Sequence, residues 1–558
     1  MDRGNTRLIM FVGLGVLALL LGALTAWMVT RNTAPESAPG QAPPSASTDG
    51  PQDGGTLMVG LPMDPANVNP IVAPYAIGGW VVDLVNPGLV RRKVGEDGLS
   101  YEPALAESWE WSDDGMALTY TLRGDLSWED GAPVTSADVV FTYDLIADPD
   151  VASNWQSDAA GIDRVEQDGA RKVTFHFKEP RNPVLQQGMT IRGIVPKHVL
   201  GGAERSGLRA HPYGRNPVSS GPFRVASWKT DERIILEPNP KAPKDWRPHL
   251  DRIVLRIIPE PSTRRMAHLK GEIDMDPAVE PANVADYRDA EHMRIVPLKA
   301  AGMLYIGFNQ KVPTWRDPKL RTALTYATDV QTLIDKVYTR DGKVMAQPCV
   351  STIAPTLSGW HADEIEPLPY DLDKAKALLD EAGWEDKGGI RVKDGKKLRF
   401  TIMYPKGGAA ERDLLVLLQS QWSKLGAEVD LESVDGGMFA SRAREKRYDT
   451  MLWAFGNNPK VDPTIIWGTG EPYNWFAYSN PRVDELLATA RTSQDMDQAK
   501  AAIRELQEVI YADQPVTFLV WVDDNMVIHD RFKDVQHDTF NKLLHAERWW
   551  VPASERVY

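Results

Sequence analysis

The 558-residue chain contains a single cysteine, Cys349, so it cannot form an intramolecular disulfide bond. Basic residues are in the minority, with 63 Lys and Arg against 77 Asp and Glu and a formal net charge of −14. This balance argues against a nucleic-acid-binding protein, which needs a basic surface. We expect Cys349 to be a packed or loop thiol. The acidic surface favours solubility, and a negative lobe that attracts cationic ligands is the alternative.

Catalytic and metal-binding motifs are also absent. The sequence has no G-x-S-x-G, H-E-x-x-H or G-x-x-x-x-G-K-[ST] segment. Its ten histidines are scattered, and none stands at metal-ligand spacing from another His or Cys. We therefore predict no catalytic residue, no metal site and no cofactor. Because catalytic groups can assemble from distant positions, a periplasmic hydrolase stays open as an alternative.

An uncharged apolar run lies near the N-terminus, from Leu8 to Thr30. As a helix it would span about 35 Å, enough for a bilayer core of about 30 Å. Arg3 and Arg7 precede it, so the positive-inside bias places the N-terminus in the cytoplasm and the rest of the chain outside. We predict that residues 1–32 are an uncleaved membrane anchor. The alternative is a signal peptide that is removed, which would release the protein into the periplasm.

Residues 33–55 are rich in Pro, Ala, Ser and Gly. Such a composition cannot bury a core, so we predict a disordered linker. Fully stretched it would reach at most about 75 Å. A domain tethered by it could sample the space above the membrane.

The segment from Pro103 to Ile146 carries the clearest local signals. Alternating Leu118, Tyr120 and Leu122 predict a half-buried strand over Ala117–Arg123, preceded by an Asp114-Gly115 turn. Thr135, with Asp138 three positions later, predicts the capped start of a helix.

Further along, the order strand, helix, strand predicts a parallel sheet with a crossover helix. Its elements are Leu398–Tyr404, Arg412–Leu425 and Ala427–Val434. The other predicted elements are strands at Met303–Asn309 and Val516–Val522, a helix pair over Asp317–Tyr338, and a helix over Asp371–Trp384 ended by Gly383.

These blocks, in this order, resemble the extracytoplasmic solute-binding proteins of bacterial peptide, nickel and oligopeptide ABC importers, family 5. VSSGPF at residues 218–223 is similar to the family's GTGPF segment. FNQKVPTWRDPKLRTALTYATD at 308–329 and DLDKAKALLDEAGW at 371–384 resemble two further family blocks. The resemblance extends from about Thr56 to Gln536, nearly all of the chain beyond the linker.

The resemblance implies an α/β fold. It is the two-lobed periplasmic-binding-protein clamshell of class II, in the large type with an inserted third subdomain, here preceded by an N-terminal transmembrane helix. Lobe I would comprise residues 56–75, 217–299 and 523–558. The inserted subdomain would be 76–216 and lobe II 300–522. No cysteine lies near the end of the apolar run, so the lipid anchor common in this family is unavailable and the helix itself would tether the protein.

In this family the loop after the YD…w strand faces the cleft, and an acidic residue there meets the amine of a bound peptide. This chain has Gly456-Asn457-Asn458 at that place, and the nearest carboxylate is Asp462. Asn cannot neutralise an ammonium group. Either Asp462 substitutes, or the ligand is a longer, blocked or non-peptide solute.

Aromatic and polar residues in such loops are the candidates for ligand binding, because they combine apolar contact with a polar edge. The candidates are Tyr75, Trp453, Asn457, Asn458, Asp462, Trp467, Asn474 and Trp475. Arg321 is either a ligand-carboxylate partner or part of a helix salt bridge, and we favour the salt bridge.

The resemblance implies a substrate-binding receptor that is not an enzyme. It would capture a small peptide or peptide-like solute outside the cytoplasmic membrane and deliver it to an ABC permease with ATPase subunits. The expected partners are thus the solute, the permease and, through residues 8–30, the membrane, with no nucleic acid. We expect a monomer. A membrane-anchored solute sensor or a peptide-binding chaperone with the same fold is the alternative, beside the hydrolase.

Overall fold

The computed structural model describes residues 50–73, 77–95, 98–288, 290–340, 342–406, 408–456 and 461–557. The predicted anchor over 1–32, most of the linker, and Tyr75, Asn457 and Asn458 lie outside the described residues. Residues Pro51–Tyr558 form one compact unit. Within the described ranges, no helix has the length and apolar character needed to cross a membrane.

The strands are β1 (Thr56–Leu61), β2 (Val90–Gly95), β3 (Gly98–Pro103), β4 (Ala106–Trp111), β5 (Ala117–Leu122), β6 (Ile162–Asp168), β7 (Lys172–Phe177), β8 (Phe223–Lys229), β9 (Arg233–Pro238), β10 (Arg252–Ile257), β11 (Met275–Asp276), β12 (Met293–Phe308), β13 (Thr339–Arg340), β14 (Lys343–Val344), β15 (Ala346–Pro348), β16 (Glu385–Asp386), β17 (Arg391–Lys393), β18 (Lys396–Lys397), β19 (Arg399–Pro405), β20 (Glu428–Val434), β21 (Thr450–Gly456) and β22 (Val516–His529).

The α-helices are α1 (Ile77–Val85), α2 (Ser136–Ala147), α3 (Gln156–Ala159), α4 (Pro183–Gln187), α5 (Lys197–Leu200), α6 (Pro261–Leu269), α7 (Pro318–Tyr326), α8 (Val330–Val337), α9 (Leu372–Glu381), α10 (Ala409–Ser423), α11 (Gly436–Arg444), α12 (Thr464–Trp467), α13 (Pro481–Thr492) and α14 (Met496–Asp513).

Eleven strands form one sheet in the order β20-β19-β21-β12-β22-β11-β1-β10-β9-β8, with β15 also paired to β22. The predicted strand-helix-strand unit is confirmed as β19, α10 and β20, and β19 pairs with β20 in parallel. Side chains alternate across β12. Leu304 and Ile306 join the core under α7, α8 and α10, whereas Met303 and Tyr305 join the core on the opposite face.

Strands β12 and β22 are 16 and 14 residues long and connect the two halves of this sheet. The strands predicted at Met303–Asn309 and Val516–Val522 are therefore placed correctly, but they are too short. The pairing of β12 with β22 shifts register between Leu298 and Gly302, where Ala300 has a φ of 49°. That irregularity breaks the alternation on which the sequence prediction depends.

The local predictions near Pro103–Ile146 are confirmed. In β5, Leu118, Tyr120 and Leu122 are fully buried in the core of a four-stranded antiparallel sheet, β4-β5-β7-β6. Helix α2 begins after Thr135, whose backbone N–H donates to the Asp138 carboxylate at 2.8 Å.

Candidate functional site

Three of the predicted ligand-binding tryptophans meet in one aromatic cluster. Trp453 on β21 stands opposite Tyr305 on β12, so both side chains lie on the same face of the sheet. The Trp453 ring lies 5.2 Å from Trp475, and Trp467 stacks on Phe476 at 5.5 Å. All of these residues pack into one hydrophobic core cluster with Trp521 on β22. We call Tyr305, Trp453, Trp467, Trp475 and Trp521 the aromatic cluster.

The aromatic cluster holds buried hydrogen-bond donors without acceptors among the described residues. They are the Tyr305 hydroxyl and the indole N–H groups of Trp453, Trp467 and Trp521. Trp475 differs, because its indole N–H donates to the Pro472 carbonyl at 3.0 Å. A buried donor without an acceptor costs about 1–3 kcal/mol, so a ligand that supplied acceptors here would recover that free energy. Burial also raises the pKa of Tyr305, so its hydroxyl stays a donor.

Residues from an earlier part of the chain share the core cluster that contains these aromatic side chains. Leu99 and Leu185 belong to the same core cluster, and Tyr101 packs against it while its hydroxyl donates to the Val184 carbonyl at 3.1 Å. The core that contains the aromatic cluster therefore includes residues that precede it by more than 100 positions. No local sequence pattern could have identified these three residues.

A short strip of hydrogen bonds extends this contact. The Asn182 N–H donates to the Arg491 carbonyl at 2.7 Å, and the Asn182 side chain donates to the Ser493 carbonyl at 2.8 Å. The Gln494 side chain donates to the Arg181 carbonyl at 2.7 Å. These bonds join the segment before α4 to the end of α13.

Asn474 shapes its own loop. Its side-chain amide donates to the carbonyls of Gly468 and Tyr478 at 2.9 and 2.7 Å, and its oxygen accepts from the Tyr478 N–H at 3.0 Å. The residue is 2% exposed. This arrangement positions the loop that carries Trp475.

Asp462 is engaged within the protein. Its carboxylate accepts the backbone N–H of Thr464 at 3.0 Å at the start of α12, and its other oxygen lies 3.7 Å from the Arg491 guanidinium. The Asp462 carboxylate therefore already faces a cation of the protein itself. This contact weakens the case that Asp462 replaces the family's acidic ligand contact.

Among the residues that the structure describes, Arg321 forms no ion pair, so the helix salt bridge that we favoured is not seen there. Its guanidinium donates to the carbonyls of Trp315, Asp513 and Gln514 at 2.6–2.8 Å, and the residue is 4% exposed. The guanidinium instead binds carbonyl groups, two at the end of α14 and one at Trp315, in the place of a carboxylate.

One cluster superficially resembles a hydrolytic triad. Ser351, His361 and Asp363 are neighbours, but the His361 Nδ1 lies 2.7 Å from the Ile353 carbonyl and so must carry the proton that this bond needs. The Ser351 hydroxyl donates to the same carbonyl at 3.0 Å, and Asp363 lies 3.9 Å from His361. A serine nucleophile needs a free imidazole nitrogen as its base, so this cluster does not fit acyl transfer.

Two further features concern metal binding and the reactivity of the single thiol. Among the described residues, no group of three or more His, Cys, Asp and Glu side chains is placed to hold a metal ion. Cys349 is buried, and burial raises its pKa, so it remains a protonated thiol.

Comparison with known proteins agrees with the resemblance inferred from the sequence. Residues 100–477 match the model of the bacterial extracellular solute-binding proteins, family 5. The oligopeptide-binding protein AppA of Bacillus subtilis is 29% identical over 99% of this chain and 100% of its own length. Protein XP55 of Streptomyces lividans is 30% identical over 88% of each chain.

The fold agrees as well. The solved structure of Bacillus subtilis AppA in complex with a nonapeptide has a TM-score of 0.79 and 27% identity, covering 90% of this chain and 100% of that one. The mixed α/β architecture is thus that of the family 5 binding proteins. The family model alone spans well over half of the sequence. This chain belongs to the bacterial extracellular solute-binding proteins, family 5.

Proposed function

We propose that the protein is the substrate-binding receptor of an ABC importer. It captures a peptide or peptide-like solute outside the cytoplasmic membrane and delivers it to a permease with ATPase subunits. The observation that carries this proposal is the membership of family 5 with near-complete coverage of an oligopeptide-binding relative. The receptor performs no chemistry on the solute.

The clamshell division remains part of the proposal. Lobe I comprises residues 56–75, 217–299 and 523–558, the inserted subdomain 76–216 and lobe II 300–522. Strands β12 and β22 would be the two hinge segments. The register shift between Leu298 and Gly302, with Ala300 at positive φ, supports a hinge there, because a bulge lets a strand bend.

The ligand would lie against the aromatic cluster. Trp453, Trp467 and Trp475 would supply apolar surface, and the donors without acceptors would bind carbonyl or carboxylate oxygens. Tyr75, Asn457 and Asn458 remain proposed contacts. Asp462 and Asn474 would act mainly by holding the loops on either side of Trp467.

The N-terminal anchor is also a proposal. The uncharged run Leu8–Thr30 supports it, with Arg3 and Arg7 on its cytoplasmic side. The full chain should stay with the membrane fraction after carbonate washing, whereas a variant that starts at residue 33 behind a cleavable signal should be recovered in the wash. Recovery of the full chain in the wash would refute the anchor and favour a cleaved signal.

Native mass spectrometry of the full chain, purified from cells in detergent, tests the receptor function. We expect adducts of several hundred daltons whose fragments are peptide-like. If the protein is always free of solute and binds nothing from a broad peptide panel, the importer receptor is ruled out. A solute that is bound and released chemically altered would favour a hydrolase.

A further inference from the structure

Arg181 carries a buried charge that its surroundings satisfy only in part. The residue is 3% exposed, and one of its terminal nitrogens lies 3.1 Å from the Glu179 carboxylate. Its Nε and its other terminal nitrogen, Nη1, are buried and have no hydrogen-bond partner among the described residues. A guanidinium is expensive to bury unless its N–H groups find acceptors. The position therefore favours a further acceptor.

Arg491 brings a second positive charge to the same place. It lies on α13, and its carbonyl accepts the N–H of Asn182, the residue after Arg181, at 2.7 Å. Burial and the nearby Arg491 charge both lower the pKa of Arg181, although Glu179 and Asp462 oppose this. The Arg491 side chain is 36% exposed, whereas that of Arg181 is buried. Two like charges near each other at a partly buried place repel each other, and an anion between them would relieve that repulsion.

The carboxylates nearby do not remove the need for that anion. The Glu179 side chain is 54% exposed and reaches only one guanidinium nitrogen. Asp462 is shared between Thr464 and Arg491, at 3.0 and 3.7 Å. Glu471 lies in the same electrostatic neighbourhood, and burial raises its pKa above the ordinary value.

We propose that Arg181 and Arg491 form an anion-binding site at the junction of the inserted segment and α13, filled by a carboxylate of the bound solute or by a free inorganic anion. This inference rests on the proposed receptor function. The planar guanidinium fork suits a carboxylate, which can accept two parallel hydrogen bonds. The two arginines come from opposite sides of the proposed cleft, so the anion stabilises the arrangement in which both sides meet.

The site also gives the solute a chemical class. Gly456-Asn457-Asn458 offers no carboxylate for an ammonium group, and Asp462 already faces Arg491. Recognition through two arginines instead selects a solute by its negative group. The solute is therefore carboxylate-bearing, and a free amine is dispensable.

The test is calorimetry on the full chain in detergent, with a nonapeptide that has a free C-terminal carboxylate and the same peptide as a C-terminal amide. The carboxylate form should bind about ten- to a hundred-fold more tightly, the range expected for one or two charge-assisted hydrogen bonds. In Arg181→Met this preference should disappear. Arg164→Met, which removes an arginine side chain that is 53% exposed, should leave the preference unchanged.

Two further measurements separate the sources of the anion and guard against misfolding. Sodium sulfate without peptide stabilises folded proteins in general, so its effect is compared between variants. If a free anion fills the site, sulfate should raise the melting temperature of the wild type more than that of Arg181→Met. If the carboxylate preference occurs with the same sulfate effect in both, the solute itself supplies the anion. Arg181→Lys keeps the charge but loses the fork, so it should show a reduced preference. If Arg181→Met does not fold, the anion site is tested by Arg181→Lys and by the two peptides on the wild type.

Equal binding of the two peptides by the wild type, with the same sulfate effect in the wild type and in Arg181→Met, would overturn the anion site while leaving the receptor function intact. A wild-type chain that binds neither peptide, shows the same sulfate effect as Arg181→Met and carries no solute would overturn both proposals.

Discussion

The Asp523 carboxylate accepts the backbone N–H of Ala300 at 3.0 Å, on the neighbouring strand and at the register shift of β12. The same carboxylate pairs with the Lys299 ammonium. Ala300 has a φ of 49°, in the left-handed region that alanine seldom adopts. Asp523 thus holds the strained residue of the proposed hinge in place.

Removing the two partners of this arrangement should have unequal effects. Asp523→Ala leaves the buried Ala300 N–H without its acceptor and should lower the free energy of unfolding by about 1–3 kcal/mol. Lys299→Met should cost less than about 1 kcal/mol, because the Lys299 side chain is 61% exposed and exposed ion pairs contribute little. Urea denaturation of both variants measures the difference. Equal losses would mean that the ion pair, not the backbone contact, holds the bulge.

A buried ion pair connects β2 to the C-terminal part of the chain. Arg91 lies 2.7 Å from Glu547, and their side chains are 11% and 2% exposed. Glu547→Gln leaves the arginine charge without its partner and should lower the free energy of unfolding by about 3 kcal/mol. Glu166→Gln, which breaks the exposed contact with Arg164, is the control and should cost less than about 1 kcal/mol. Urea denaturation measures both losses, and equal losses would contradict a special role for the buried pair.

His545 should make stability depend on pH. Burial disfavours its protonation, but hydrogen bonds to Glu102 and Glu547 outweigh burial and raise its pKa above the ordinary value of 6.5. The folded state therefore holds the proton more tightly than the unfolded state. This contribution is fully present below pH 6.5 and is lost as the pH rises through the higher pKa of the folded state.

Denaturation of the wild type and of His545→Gln across about pH 5.5 to 8.5 measures this contribution. The stability advantage of the wild type should shrink as the pH increases. An advantage that stays constant or grows with pH would show that the imidazolium is not favoured in the fold.

Trp453 should contribute to ligand binding through its indole N–H. Trp453→Phe keeps an aromatic ring against Phe439, on which Trp453 stacks at 4.8 Å, but removes a buried donor without an acceptor. We expect about tenfold weaker binding of a nonapeptide, with little loss of stability. Trp549→Phe, in the core around β1 and β10, is the control and should leave affinity unchanged. Unchanged affinity in both variants would place the ligand elsewhere.

The sequence predicted the parts of the fold that local signals specify. The Thr135–Asp138 cap, the alternation in β5 and the β19-α10-β20 unit each depend on residues close together in the chain. The full lengths of β12 and β22 were not predictable, because a bulge and a partner strand more than 200 residues away determine them.

Part of the candidate site could be inferred from the sequence. Trp453, Trp467 and Trp475 lie in or against one core cluster, and they stand close together in the chain. Tyr305, Trp521, Arg181 and Arg491 were missed because only folding brings them to that region. Arg321 was misread because backbone carbonyls, which carry no signal in the sequence, surround it.

The most direct test of the receptor function is small-angle X-ray scattering of the full chain in detergent, with the micelle contrast-matched, before and after addition of the co-purifying solute or a panel of nonapeptides. Closure of two lobes on a ligand predicts a smaller radius of gyration and a smaller maximum dimension with the solute that binds. A scattering profile that does not change with any solute, despite measured binding, would contradict a receptor that closes on its ligand.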